Sequence, residues 1–144
     1  MSSLLEPVTI GGEIPLRNRV VMGSMTRNRC VDDFKPGPAQ VKHYADRARD
    51  GTGLIVNEGT FVDWMGCDWK YSPVMITDEH AEAWRKVVDA VHEEGGKIFF
   101  QAWHPGKGLS CPWRRRIARS DLFPPQAAVS TTGCLLWKKR TGPC

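Results

Sequence analysis

The sequence predicts an α/β fold with parallel strands, on three observations. Short β-branched or apolar runs recur at Arg19–Gly23, Leu54–Glu58 and Lys97–Trp103. Between them lie two stretches whose apolar residues repeat with helical spacing. Glycines, Gly51 and Gly53 in one case and Gly95-Gly96 in the other, close each helical stretch. A strand–helix–strand–helix–strand order requires parallel strands joined by crossovers, which are right-handed in nearly all proteins.

The elements follow in order. Val8-Thr9-Ile10 and Ile14-Pro15-Leu16 flank Gly11-Gly12, which predicts a small hairpin. Arg19–Gly23 is the first core strand. A loop with Asp32-Asp33 and Pro36-Gly37-Pro38 follows. Residues 39–50 read as a helix with Val41, Tyr44, Ala45 and Ala48 on one face. Leu54-Ile55-Val56 opens the second strand and is continuously apolar, as a strand buried on both faces should be. Residues 60–76, with Trp64, Gly66, Trp69 and Pro73, read as a long loop. Thr77-Asp78-Glu79 begins a helix with a capping residue and an acidic first turn, and Ala81, Trp84, Val88 and Val91 mark its expected buried stripe. Lys97–Trp103 is the third strand.

Composition divides the chain. Residues 1–104 carry 12 Lys and Arg against 15 Asp and Glu, whereas residues 105–144 carry 8 basic residues and only Asp121. The second segment also holds three of the five cysteines and five of the ten prolines, without a sustained period. The expected organisation is therefore an ordered part over 1–104 and a basic, irregular tail over 105–144. Three explanations fit that tail: a nucleic-acid arm through Arg114-Arg115-Arg116 and Lys138-Lys139-Arg140, a disordered extension, or an aberrant terminus from a wrong reading frame or an unspliced intron. Trp113, Trp137, Cys111, Cys134 and Cys144 are unusual in a basic arm, so the aberrant terminus is the expectation and nucleic-acid binding the weakest of the three.

No apolar run approaches the roughly 18 residues of a membrane helix. The N-terminus has neither a basic stretch nor a long apolar core, and no C-x-x-C pair occurs. An odd number of cysteines without a secretory signal points to reduced thiols and a cytoplasmic location.

In parallel α/β folds, sites gather at the carboxyl ends of strands. Three polar clusters lie there: Ser24-Met25-Thr26-Arg27, Asn57-Glu58-Gly59-Thr60, and Gln101 with Trp103 and His104. Hydroxyls and an amide offer neutral hydrogen bonds, and tryptophan offers a flat wall. That set suits an aromatic heterocycle with carbonyl and ring-nitrogen edges better than a metal. No G-x-G-x-x-G, phosphate-loop lysine, carboxylate pair or Ser-His-Asp order is present.

Five segments carry a family resemblance. They are Leu16–Arg29 (LRNRVVMGSMTRNR), His43–Ala48 (HYADRA), Gly53–Thr60 (GLIVNEGT), Ala83–His92 (AWRKVVDAVH) and Phe100–His104 (FQAWH). In this order and spacing they resemble the N-terminal third of the old yellow enzymes, over about residues 4–106. The resemblance implies the first part of a β/α barrel of the TIM type, closed at one end by the hairpin and incomplete in this chain. A full barrel takes roughly 250 residues. It further implies FMN as cofactor, NAD(P)H as hydride donor and an enone-type small molecule as substrate. Thr26 then corresponds to a threonine at the flavin carbonyl edge, and Gln101 to a glutamine at the pyrimidine edge. Ser24 and Met25 correspond to contacts on the ring, Gly59 to a close approach after the second strand, and Trp103 to the substrate cavity wall.

The sequence departs from the family at Ser24, where proline is usual, and at Ala102, where leucine is usual. It contains no H-x-x-N or H-x-x-H, the pair that anchors substrate in the family, and its two tyrosines, Tyr44 and Tyr71, lie upstream of any such strand. No catalytic residue is therefore assigned, and the chain is expected to be inactive as it stands. The alternative is a non-catalytic fragment that pairs with a full-length relative, or with itself, through open sheet edges. Three strands out of eight would leave an edge unpaired and Leu54–Val56 uncovered. His43, His80 and His92 are expected to be surface or packing residues. His104 is a candidate for the cavity. Glu58 is expected to be structural, beside an arginine, Cys30 and Cys67 bystanders, and Trp84 core.

Overall fold

The computed structural model describes residues 3–67 and 69–106. A 3-10 turn at Ser3–Leu5 leads into strands β1 (Val8–Ile10) and β2 (Ile14–Leu16). These form the expected antiparallel hairpin, with Val8 opposite Leu16 and Ile10 opposite Ile14. Gly11 and Gly12 take φ of +57° and +74° at the turn, a region that costs glycine little.

Strand β3 (Val21–Met22), helix α1 (Pro38–Arg49), strand β4 (Leu54–Val56), helix α2 (Asp78–Glu93) and strand β6 (Ile98–Phe99) make the core. The strands pair in the order β3-β4-β6, parallel throughout. Central β4 is the best covered, with Leu54 and Ile55 buried. The expectation that Leu54–Val56 would be uncovered is thus corrected: β4 has neighbours on both sides, and the exposed apolar residues are instead Val20 and Val21 at β3.

Both helices pack on this sheet through Tyr44, Ala48, Ile55, Trp84, Val87 and Val91. At α1, Pro38 sits at the helix start and the Gln40 side chain accepts the Gly37 N–H at 3.0 Å. Gly51, at φ +104°, ends the helix. The segment before β3 secures that end. Arg17 donates to the carbonyls of Ala48 and Thr52, and Asn18 donates to Gly51 O at 2.6 Å.

On α2 the buried stripe is His80, Trp84, Val87 and Val91, one residue out of phase with the expected Ala81 and Val88. His80 causes the difference. Its Nδ1 accepts the Thr77 N–H at 3.1 Å, which caps the helix start, while Nε2 meets Asp33 O at 3.0 Å. Hydrogen bonds at both ring nitrogens offset the cost of burying this polar side chain.

Two further corrections concern strands. The segment 60–76 is not all loop: it opens with β5 (Thr60–Phe61) and includes a 3-10 turn at Trp64–Gly66. The third strand is split into β6 and β7 (Ala102–Trp103), and β7 pairs in parallel with β5. Val56 is opposite Phe99, and Thr60 is opposite Ala102. Three residues, Asn57 to Gly59, therefore face two, Phe100 and Gln101, which is a bulge of one residue. A second apolar cluster of Phe61, Cys67 and Val74 lies beneath β5 and β7.

Among the described residues no helix is long and apolar enough to cross a membrane. Residues 107–144, and with them the explanations of the basic tail, lie outside the described residues.

Candidate functional site

The bulge determines what the strand ends present. It interrupts the β4–β6 ladder, and the Gln101 N–H is taken by a side chain, Asn57 Oδ1, at 2.6 Å. Asn57 Nδ2 in turn reaches Thr60 Oγ1 at 3.3 Å, and Gln101 O accepts the Thr60 N–H at 3.0 Å. Gln101 is thereby held by backbone bonds on both sides. Its side-chain Oε1 accepts a 2.6 Å hydrogen bond from Ser24 Oγ, which joins the segment after β3 to the end of β6.

An open cavity of about 360 Å³ lies over these groups, lined by Ser24, Thr26, Gly59, Gln101, Ala102 and Trp103. That volume is near the lower end of small-molecule pockets, roughly 300–1,000 Å³. Five of the six candidate residues, Ser24, Thr26, Gly59, Gln101 and Trp103, meet here. Met25 does not: it is 57 % exposed and lies outside the lining. His104 is also outside it, with its Nδ1 accepting the Gly106 N–H at 3.0 Å.

Trp103 forms the flat wall. It stacks on buried Phe61 with ring centres 5.1 Å apart and planes 16° from parallel, and it meets Trp69 at 5.2 Å. Gly59 lies against it, and a Cβ there would sit 2.6 Å from Trp103 Cε3 and 3.2 Å from Gln101 Oε1. Among the described residues no charged side chain lines the cavity. Hydroxyl, amide and indole fit the polar edge and flat face of a flavin ring. They offer no counter-charge for its phosphate.

Charged and titratable groups sit behind the cavity. Glu58, in the bulge, is 1 % exposed. Its Oε2 accepts the Arg27 N–H at 2.8 Å and the Asn28 N–H at 3.3 Å, and its Oε1 accepts the Tyr44 hydroxyl at 3.4 Å. The arginine contact expected of Glu58 is thus made to the backbone of Arg27. Burial raises the Glu58 carboxyl above its usual value, opposed by these hydrogen bonds. Burial, and then the Glu58 charge, push the Cys30 thiol up to about 12, which disfavours the reactive thiolate. Burial, reinforced by the Arg27 charge, pushes His43 down to about 4.

Asn57 and Tyr44 are the positions whose roles sequence reasoning missed. Asn57 stood in a polar cluster, yet its bond to the Gln101 amide follows from the bulge, which no local pattern announces. Tyr44 fits the apolar face of α1, but its hydroxyl also accepts the Glu58 N–H at 2.9 Å.

The profile of the NADH:flavin oxidoreductase / NADH oxidase family matches residues 3–134. The chain is 45% identical over 92 residues to 12-oxophytodienoate reductase 7 of Oryza sativa subsp. japonica, covering 64% of this chain and 23% of that protein. It is 41% identical over 104 residues to a probable flavin mononucleotide-dependent alkene reductase of Leishmania infantum, covering 72% and 28%. Among solved structures, the old yellow enzyme homologue from Zymomonas mobilis superposes with a TM-score of 0.67 at 37% identity, covering 74% of this chain and 29% of that one. The chain thus spans less than a third of the length of these relatives. Strands β3, β4 and β6 with their two helices are the N-terminal part of a β/α barrel, not closed among the described residues. The chain belongs to the NADH:flavin oxidoreductase family, that of the old yellow enzymes.

Proposed function

We propose that residues 3–106 form the ring-binding side of an FMN site of the ene-reductase type. One observation carries this: Ser24, Thr26, Gly59, Gln101 and Trp103, from three separate strand ends, line a single cavity that is uncharged among the described residues. When bound, FMN would supply the hydride chemistry, from NAD(P)H to the β-carbon of an α,β-unsaturated carbonyl. The chain's own residues bind and orient. Ser24 holds the Gln101 oxygen, which leaves the amide nitrogen to donate to a ring carbonyl. Thr26 adds a hydroxyl at the same edge, Trp103 shields one side from water, and Gly59 lets the Trp103 indole lie close against the backbone of the wall.

Turnover needs a proton donor for the α-carbon and an anchor for the substrate carbonyl. Neither tyrosine serves. Tyr44 is buried and bonded to Glu58, and Tyr71 is exposed, with Lys70 over its ring 5.0 Å from the centre. The proposal is therefore an FMN oxidoreductase that is incompetent in this chain alone and belongs to a reducing, cytoplasmic setting. The test is to supply the purified chain with FMN, NADH or NADPH, and 2-cyclohexenone. No alkene reduction above the free-flavin background is expected. Stoichiometric FMN on the purified chain together with enone reduction would refute it.

A second reading rests on the sheet edges. Among the described residues β3 and β6 each pair on one side only, with Val20 and Val21 42 % and 50 % exposed. Such edges suit pairing with another copy or with a full-length relative. A monomeric chain that unfolds cooperatively would count against this.

A further inference from the structure

Glu58 touches both walls of the cavity without lining it. It belongs to the bulge whose next residue, Gly59, lies in the lining, and its carboxylate reaches the segment that carries Ser24 and Thr26. One oxygen accepts two successive backbone N–H groups, from Arg27 and Asn28. Asn28 is in the left-handed region at φ +52°, a turn that Asn tolerates and that redirects the chain immediately after the wall. On the other side, the Tyr44 hydroxyl donates to Oε1 and accepts the Glu58 N–H, which ties the bulge to α1. A buried carboxylate is costly unless its lone pairs are used, and here two of its contacts hold the segment that carries Ser24 and Thr26 while the third anchors it to α1.

We propose that Glu58 is a positioning residue that sets the spacing of the two cavity walls, gripping the backbone after Thr26 with its carboxylate and the bulge before Gly59 with its own backbone. What the cavity binds rests on the flavin proposal; the grip itself does not. Among the described residues, Tyr44 from α1 and Arg27 and Cys30 from the segment after β3 are the ionisable side chains that interact with Glu58. Burial holds the Tyr44 hydroxyl and the Cys30 thiol neutral, so neither titrates alongside Glu58 in the acid range.

The experiment uses the full chain, labelled with ¹⁵N and without ligand. In the wild type, the Arg27 and Asn28 amide resonances are expected to titrate together in a single step above the ordinary carboxylate value. In Glu58→Gln that step should vanish. Solvent exchange at the two amides should rise by about ten-fold or more, the equivalent of one charge-assisted hydrogen bond. The Ile55 and Val87 amides should keep their protection. Wild-type amides that do not titrate, or unchanged exchange in the variant, would overturn the proposal. So would equal loss of protection at Ile55 and Val87, the sign of a general packing role. A parallel titration with riboflavin separates the two claims, since failure of the wild type to bind it counts against the flavin site and not against the grip.

Discussion

Gly59 and Trp103 are packed so closely that the smallest side chain at position 59 would overlap the indole, at 2.6 Å from Cε3. The indole cannot simply retreat, because its other neighbour is the fully buried Phe61 ring, stacked at 5.1 Å. Gly59→Ala should therefore tilt Trp103 into the cavity. The expected cost is about 1–3 kcal/mol of stability, as for other overpacked positions. Urea unfolding followed by tryptophan fluorescence would measure both the loss and the altered emission. Wild-type stability with unchanged emission would show that the contact has slack.

Asn57 replaces a backbone acceptor that the bulge removes. Asn57→Leu leaves the Gln101 N–H without its 2.6 Å partner and should cost about 1–3 kcal/mol. Asn57→Asp keeps an acceptor oxygen and should lose less. Equal stability of the Leu variant and the wild type in urea would show that another group satisfies this amide.

His43 makes stability depend on pH. Its folded value is depressed to about 4, while the unfolded chain titrates near 6.5. Between those values the unfolded chain binds a proton that the folded chain resists, so stability should fall as pH is lowered from 6.5 toward 4. Glu58 acts in the opposite sense. Its folded value is raised, so its contribution is fully present below 4.5 and declines as pH rises through the folded value. Thermal unfolding across this range should slope downward toward acid in the wild type and more shallowly in His43→Gln. Identical slopes would assign the acid sensitivity elsewhere.

Ser24, one of the two positions where the sequence is expected to depart from the family, has a defined task. Its hydroxyl fixes the Gln101 amide at 2.6 Å. Ser24→Ala frees that amide to rotate and should weaken riboflavin binding by about three- to ten-fold, the worth of one hydrogen bond of about 0.5–1.5 kcal/mol. Calorimetric titration of the two proteins checks this, and equal affinities would remove Ser24 from the site.

The sequence carried the strand–helix order because periodicity and glycine stops are local. Strand-end convergence in parallel α/β folds marked three polar clusters, and the family resemblance selected from them six positions, five of which line the cavity. Met25 lay outside since the register of residues after β3 has no sequence marker. The phase of α2 was hidden by His80, a polar residue buried only because Thr77 and Asp33 satisfy both its nitrogens. The division of the third strand was hidden for a related reason. One extra residue between Val56 and Thr60 is visible only when the partner strand is known.

The most direct test of the flavin-ring site is a titration of the chain with riboflavin and FMN, followed through flavin fluorescence, beside Gln101→Leu. Both ligands should saturate with dissociation constants within about three-fold of each other, since among the described residues no charged side chain lines the cavity to favour the phosphate. Gln101→Leu should weaken both by about ten-fold. Absence of saturable binding by the wild type, or unchanged binding by the variant, would contradict the assignment.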